Sequence, residues 1–322
     1  MKAFRLHAIG EMPQPDDIVL PPPGHGEVRI AIRACGLNFA DLLMIDGRYQ
    51  ERPALPFTLG MEVAGVVEAT GPGVQGLQQG ARVAVFAGSG GLAEYGNFPA
   101  DACLPIPESM DFETAAAFQI AYGTSHLALG HRARLRAGER LLVLGAAGGV
   151  GLTAVEIGKL MGAEVIALAR GPERLAVAQA AGADHLIDSA APDLRGLLKA
   201  LGGVDVVYDA VGGPAFMEAL RAARPEGRLI PIGFAGGEVP QIPANLLLVK
   251  NLTVIGLYWG AYRRFAPQVL RDSLAELTRW HGEGKLRPHI SHVLPLDRAA
   301  EALALLRSRT ATGKVVVTMD RS

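Results

Sequence analysis

The sequence predicts a two-domain α/β protein: a β-rich domain built from residues 1–118 and 257–322, and a doubly wound parallel-sheet domain over residues 119–256. Three observations lead to this reading. A chain of 322 residues exceeds the usual size of one compact core. Near residue 118 the pattern changes from short β-branched runs to repeated strand–helix–strand units. The chain closes on GKVVVTM, a strand that needs sheet neighbours, and the N-terminal strands can supply them if the chain returns to them.

In the first section EVRIAIRACGL, MEVAGVVEATG and ARVAVFAG are separated by PPPGHG, GPGVQGLQQG and GSGG, so short strands joined by turn-rich loops are expected. The second section runs ERLLVLGAAGG, VGLTAVEIGKLMGA, EVIALAR, ERLAVAQAAGA, HLIDS, VDVVYDAVGG, FMEALRAA, GRLIPIGFA and NLTVIGLYWG. Its strands are almost wholly apolar, as in a parallel sheet covered on both faces. The apolar run NLTVIGLYWG is expected to form the last strand of that sheet. The third section reads helix, strand, helix, strand through PQVLRDSLAELTRWHGEGKL, HISHVLPLDRAAEALALLRSR and GKVVVTM.

Composition excludes several classes of function. Lys plus Arg number 31 and Asp plus Glu 32, a formal net charge of -1, so no bulk field draws the chain to nucleic acid or anionic membranes. Two cysteines, Cys35 and Cys103, cannot form a disulfide framework or a four-cysteine zinc lobe, and they suit a reducing cytoplasm. No window reaches the roughly 18 apolar residues of a membrane span, and the first residues carry charges and prolines where a signal peptide needs an apolar run. A soluble cytoplasmic protein acting on a small molecule is the expectation.

The strongest motif is LLVLGAAGGVGLTAVEIGKLMGA, where an apolar strand runs into a glycine cluster and the cluster into a helix. Ala146, Gly148 and Gly151 fall on the three positions of a G-x-G-x-x-G fingerprint, with alanine at the first. The segment Ala146, Ala147, Gly148, Gly149, Val150 and Gly151 is therefore expected to cradle a dinucleotide pyrophosphate at a helix N-terminus. About 20 residues on, an acid would bind the ribose 2′-OH of NAD. Here EVIALAR ends in Ala169 and Arg170, with Arg174 one helical turn later. Guanidinium groups suit a 2′-phosphate, so NADPH is favoured over NADH.

Taken with ACGLNFADLLMIDGRY, LGMEVAGVVEATG, FQIAYGTSHLAL, LVLGAAGGVG, DVVYDAVGG, IPIGFA and RTATGKVVV, the whole chain resembles the medium-chain dehydrogenase/reductases. It is most similar to their zinc-free quinone oxidoreductase branch, which includes zeta-crystallin. The resemblance implies a GroES-like catalytic domain and a Rossmann domain. In the zinc enzymes of that superfamily three positions supply ligands; here the matching places hold Asn38, Met61 and Ile120, and Cys35 lies three residues before the first. An amide, a lone thioether and an aliphatic side chain do not make a zinc site, so no metal is expected. Hydride transfer is nicotinamide chemistry and survives that loss. A conjugated acceptor such as a quinone suits it, with an enone or 2-alkenal as the alternative, and a non-enzymatic NADPH-binding structural or RNA-binding protein as the second class.

By the same resemblance Asn38 and Tyr49 contact the substrate or the nicotinamide end and Asp41 orients them; Asn38 also stands where a helix N-cap is favoured. Other implied cofactor contacts are Thr124, Val211, Gly212, Gly233 and Phe234, then Leu257, Tyr258 and Arg309. Ser189 stands where some relatives place a tyrosine beside the 2′-phosphate. Glu62 has no assigned part, and His126, His131, His185, His289 and His292 are expected to be structural or surface residues. The exposed edge of the last parallel strand invites pairing with a second copy, so a homodimer is expected.

Overall fold

The computed structural model describes residues 1–319 and divides into two compact units, Met1–Ile120 with Pro288–Ser322, and Ala121–Arg287. The first unit holds a mixed sheet in the order Ile290–Pro295, Lys314–Thr318, Glu27–Leu37, Glu62–Thr70, Arg82–Phe86 and Cys103–Pro105, with Tyr95–Pro99 also paired to Glu27–Leu37. Gln14–Asp17, Lys2–Leu6 and Phe57–Thr58 make a second, smaller sheet. The closing strand does return to the N-terminal sheet. Lys314–Thr318 runs antiparallel to Glu27–Leu37, with Val315 opposite Leu37 and Val316 opposite Gly36, and parallel to Ile290–Pro295. Val315, Val316 and Val317 are fully buried, which accounts for three consecutive β-branched residues.

The second unit carries a parallel sheet in the order His185–Asp188, Glu164–Ala169, Arg140–Leu144, Val204–Asp209, Ala223–Pro231 and Thr253–Val254. Its core joins Leu142, Leu144, Ile166, Leu168, Val207 and Leu229 from the strands to Leu198, Phe216 and Leu220 from helices. The near-continuous apolar strands are those of a doubly wound fold with helices on both faces.

Two sequence expectations change here. The run NLTVIGLYWG contributes only Thr253–Val254 to the sheet, because Gly256 interrupts it and the next residues turn into a short 3₁₀ helix, Trp259–Ala261, with Trp259 buried against Gly123. The second compact unit also extends past residue 256 to Arg287. The helix Pro267–Gly282 is amphipathic and packs on this unit: Ser273 Oγ lies 2.8 Å from His126 Nδ1, and Trp280 meets the His126 ring edge-on. Arg287 N–H then donates to Glu156 Oε1 at 2.6 Å, so the last link of the segment is also bonded to the parallel-sheet unit.

Candidate active site

In the first unit Asn38, Asp41 and Glu62 gather where three neighbouring strands end. Glu62 lies opposite Gly36 on one side of the central strand, and Lys314 immediately precedes the Val315–Leu37 pair on the other. The helix Phe39–Ile45 begins at this point, with Asn38 as its N-cap in extended conformation and Asp41 at its third position, and the two close a capping box. Asn38 N–H donates to Asp41 Oδ2 at 2.8 Å, and Gly60 N–H donates to Asp41 Oδ1 at 3.2 Å. Asp41 is fully buried. Burial pushes its carboxyl up to about 7, against the downward pull of those two N–H bonds and of the Lys314 charge. Asp41 thus fixes the start of the helix and the turn before Glu62.

Glu62, left without a part by the sequence, proves to be a buried junction. Its Oε1 accepts from Asn38 Nδ2 at 3.0 Å and from Lys314 Nζ at 2.7 Å, while its Oε2 accepts the N–H of Ile120 at 2.9 Å. Lys314 was not anticipated, although the sequence carried a signal: a lysine opening a strand whose next three residues are all apolar cannot easily turn to water. Its ammonium also donates to Leu37 O at 2.8 Å and Asn38 Oδ1 at 2.7 Å. Met61 is buried in the same region, and burial holds the Cys35 thiol well above its ordinary range, with Asp41 and Glu62 adding to the effect. Tyr49 is half-buried beyond the C-terminus of the helix Phe39–Ile45, beside Ile9, Met44 and Phe57. Arg309 is exposed at positive φ after the helix Ala299–Arg307.

In the second unit the expected cofactor residues line the carboxyl ends of the parallel strands one after another, the edge on which doubly wound folds bind ligands. The strand Arg140–Leu144 leads through Gly145 and Ala146 to Gly148, the N-cap of the helix Gly149–Leu160, and no side chain caps that helix. The tight turn falls on Gly145, at φ +76°, one residue before the fingerprint position assigned to Ala146. A Cβ on Gly151 would lie 2.1 Å from Gly145 O, so the close approach of helix and strand requires glycine there.

Beneath this loop is a buried hydroxyl network that the sequence did not reveal. Ser125 Oγ lies 2.7 Å from Thr153 Oγ1 and 2.9 Å from Tyr208 Oη, and both Ser125 Oγ and Thr153 Oγ1 lie 3.0 Å from Val150 O. Thr153 Oγ1 is also 3.0 Å from Ala121 O. The network ties the glycine loop to the helix Gln119–His126, and so fixes the neighbouring Thr124, itself buried. Three hydroxyls far apart in sequence become one group only when helix and strand pack.

Arg170 and Ser189 follow adjacent strands, with Ser189 N–H donating to Ala169 O at 2.9 Å. Both are exposed, and Arg174 reaches back with Nη1 to Arg170 O at 3.4 Å. Val211 and Gly212 form a turn whose N–H groups donate to Asp209, at 2.8 Å and 3.0 Å, and burial raises that carboxyl. Gly233 and Phe234 follow the strand Ala223–Pro231, and Leu257 and Tyr258 follow Thr253–Val254. The histidines are engaged locally, His185 with Glu164 at 2.7 Å, His289 with Thr312 at 2.9 Å and His292 with Ser291 at 2.9 Å.

A family model described as an alcohol dehydrogenase GroES-like domain matches residues 24–108, and one described as a zinc-binding dehydrogenase matches residues 149–276. The chain is 41% identical to a quinone oxidoreductase-like protein 2 homolog of Nematostella vectensis over 98% of this chain and 89% of the relative. Among solved structures, the quinone oxidoreductase of Thermus thermophilus, also described in complex with NADPH, is 38% identical with a TM-score of 0.88, covering 99% of this chain and 100% of that one. The Escherichia coli quinone oxidoreductase complexed with NADPH is 28% identical with a TM-score of 0.90, covering 98% and 99% of the two chains. With its GroES-like and Rossmann domains, the chain belongs to the quinone oxidoreductase branch of the medium-chain dehydrogenase/reductase superfamily, a family of oxidoreductases.

Proposed function

We propose that this chain is a zinc-independent, NADPH-dependent oxidoreductase that reduces quinones. The observation that carries the reading is the uncapped N-terminus of the helix Gly149–Leu160, held against Gly145 by a glycine contact and flanked by Arg170 and Ser189 on the next two strands. Residues 146–151 would face the pyrophosphate with N–H groups and the positive end of the helix. Arg170, Arg174 and Ser189 would meet the 2′-phosphate, while Thr124, Val211, Gly212, Gly233, Phe234, Leu257 and Tyr258 would follow the remainder of the dinucleotide along the strand ends. When bound, the nicotinamide supplies the hydride.

Zinc does not fit the residues present. Among the described residues no group of three or more His, Cys, Asp or Glu is arranged to hold a metal. At the place where the superfamily has its ligands, the carboxylate of Glu62 is instead taken up by the Lys314 ammonium, the Asn38 amide and the Ile120 N–H. An amide, a thioether and an aliphatic side chain in place of metal ligands support an acceptor whose charge spreads through its own conjugation. Asn38 and Tyr49 are the half-buried polar groups assigned to contact the substrate, and Asp41 and Glu62 hold Asn38 from behind.

Steady-state reduction of a small benzoquinone, compared with a small enone at matched NADPH, tests the assignment. Turnover of the quinone at higher kcat/KM is expected, preference for the enone would replace quinone by activated double bonds, and turnover of neither would reject both. A homodimer in the cytoplasm completes the proposal. The short edge strand Thr253–Val254 adjoins a helix, Ala244–Lys250, whose Leu248 and Val249 are 76% and 66% exposed. Light scattering should give about twice the monomer mass. Among the described residues no helix is long and apolar enough to cross a membrane.

A further inference from the structure

The amide of Asn38 has two hydrogens, and both are already used within the protein. One goes to Gly36 O at 3.2 Å and the other to Glu62 Oε1 at 3.0 Å. On its oxygen side Oδ1 accepts from Lys314 Nζ at 2.7 Å. An ammonium can only donate and a carboxylate can only accept. Turning the amide over would therefore set N–H groups against the ammonium and an oxygen against the carboxylate. The three ammonium hydrogens are matched as well, by Leu37 O, Asn38 Oδ1 and Glu62 Oε1. Lys314 has no proton to offer a substrate, and Asn38 cannot donate to one without giving up an internal bond.

From this arrangement we propose that Lys314 is a positioning residue of the reductase site. Acting through Asn38, it locks the amide in one orientation and withholds its N–H groups from the substrate oxygen, so that the donor meeting that oxygen is a different group. The inference rests on the oxidoreductase reading above and adds to it a residue from the closing strand, 276 positions from the amide it orients. It also changes what Asn38 contributes. The residue is a fixed wall of the site, with its polarity set from behind, rather than a free hydrogen-bond donor.

Two variants separate positioning from mere charge balance. Lys314→Met leaves Glu62 without its counter-charge, and the single variant is expected to lose stability. The double variant Lys314→Met with Glu62→Gln removes both charges and should recover most of that loss. In the double variant the ammonium and the carboxylate no longer impose an orientation on Asn38, since the amide introduced by Glu62→Gln presents both a donor and an acceptor, and only the 3.2 Å bond to Gly36 O is left to favour the present one over its flip. The expected result is a melting temperature near wild type, an NADPH dissociation constant within about twofold, and a kcat lower by about tenfold or more. Recovery of kcat together with stability would overturn the proposal and leave Lys314 a structural counter-ion. Wild-type protein that neither binds NADPH by fluorescence titration nor reduces either acceptor would instead reject the reductase reading itself.

Discussion

The ammonium of Lys314 lies 2.7 Å from the carboxylate of Glu62, with the two side chains 6% and 1% exposed and 252 residues apart in the chain. The pair closes the first compact unit across the end of its central strand, joining the C-terminal strand to Glu62–Thr70. A buried pair adds little net stability over an apolar one, but removing one partner strands the other in a medium that cannot solvate it. Glu62→Gln is therefore expected to cost about 3–5 kcal/mol. Urea unfolding at neutral pH measures it, and a loss below about 1 kcal/mol, the range of exposed pairs, would show that water reaches the junction.

What the sequence could and could not convey follows from the range over which each signal acts. The strand Glu27–Leu37, the glycine loop and the return of Lys314–Thr318 to the first sheet rest on local pattern, and each appears where that pattern put it. Glu62 was visible as an acid on an apolar strand, yet its role depends on Lys314, Asn38 and Ile120, which arrive from three other segments. Likewise Ser125, Thr153 and Tyr208 each read as an ordinary hydroxyl until the fold brings them together. NLTVIGLYWG misled for a related reason. Hydrophobicity alone marked it as strand, whereas Trp259 is buried after the chain has left the sheet.

Gly151 should tolerate no side chain. A Cβ there meets Gly145 O at 2.1 Å and Ala146 Cα at 2.9 Å, and both are backbone atoms that cannot rotate away. Gly151→Ala is expected to cost about 1–3 kcal/mol of stability through overpacking. It should also weaken NADPH binding at least tenfold by displacing the loop, and thermal unfolding with fluorescence titration would read both effects.

The burial of Asp41 predicts a pH dependence of stability with a definite sign. Its carboxyl is pushed up to about 7 in the folded protein from an ordinary value of 3.8, so between those limits the folded state holds the proton more tightly than the unfolded chain does. This group's contribution is fully present below pH 3.8, and is lost as pH rises through about 7. Relative to Asp41→Asn, the wild-type protein should therefore become more stable as pH falls from 7 toward 4, by at most about 1.4 kcal/mol per pH unit. Urea midpoints at several pH values in that window, taken for both proteins, give the slope. A flat difference would mean that the two backbone N–H bonds outweigh desolvation.

Arg170 is the residue on which the choice between NADPH and NADH should turn. It follows the strand Glu164–Ala169, one strand away from Ser189, it is exposed, and its backbone carbonyl accepts from the Arg174 guanidinium, so Arg174 is held at the same strand end. A charge-assisted bond to a phosphate contributes about 1.5–3 kcal/mol, which corresponds to roughly 10–150-fold in affinity. Arg170→Ala should lower kcat/KM for NADPH by that factor and leave kcat/KM for NADH nearly unchanged, because only the 2′-phosphate is addressed. Since the side chain is exposed and its removal opens no cavity, the melting temperature should move little. Parallel steady-state measurements with the two cofactors decide the matter. An equal fall for both would move the arginine's role from the 2′-phosphate to the common part of the dinucleotide, and no change for either would leave Arg174 and Ser189 as the groups that set the preference.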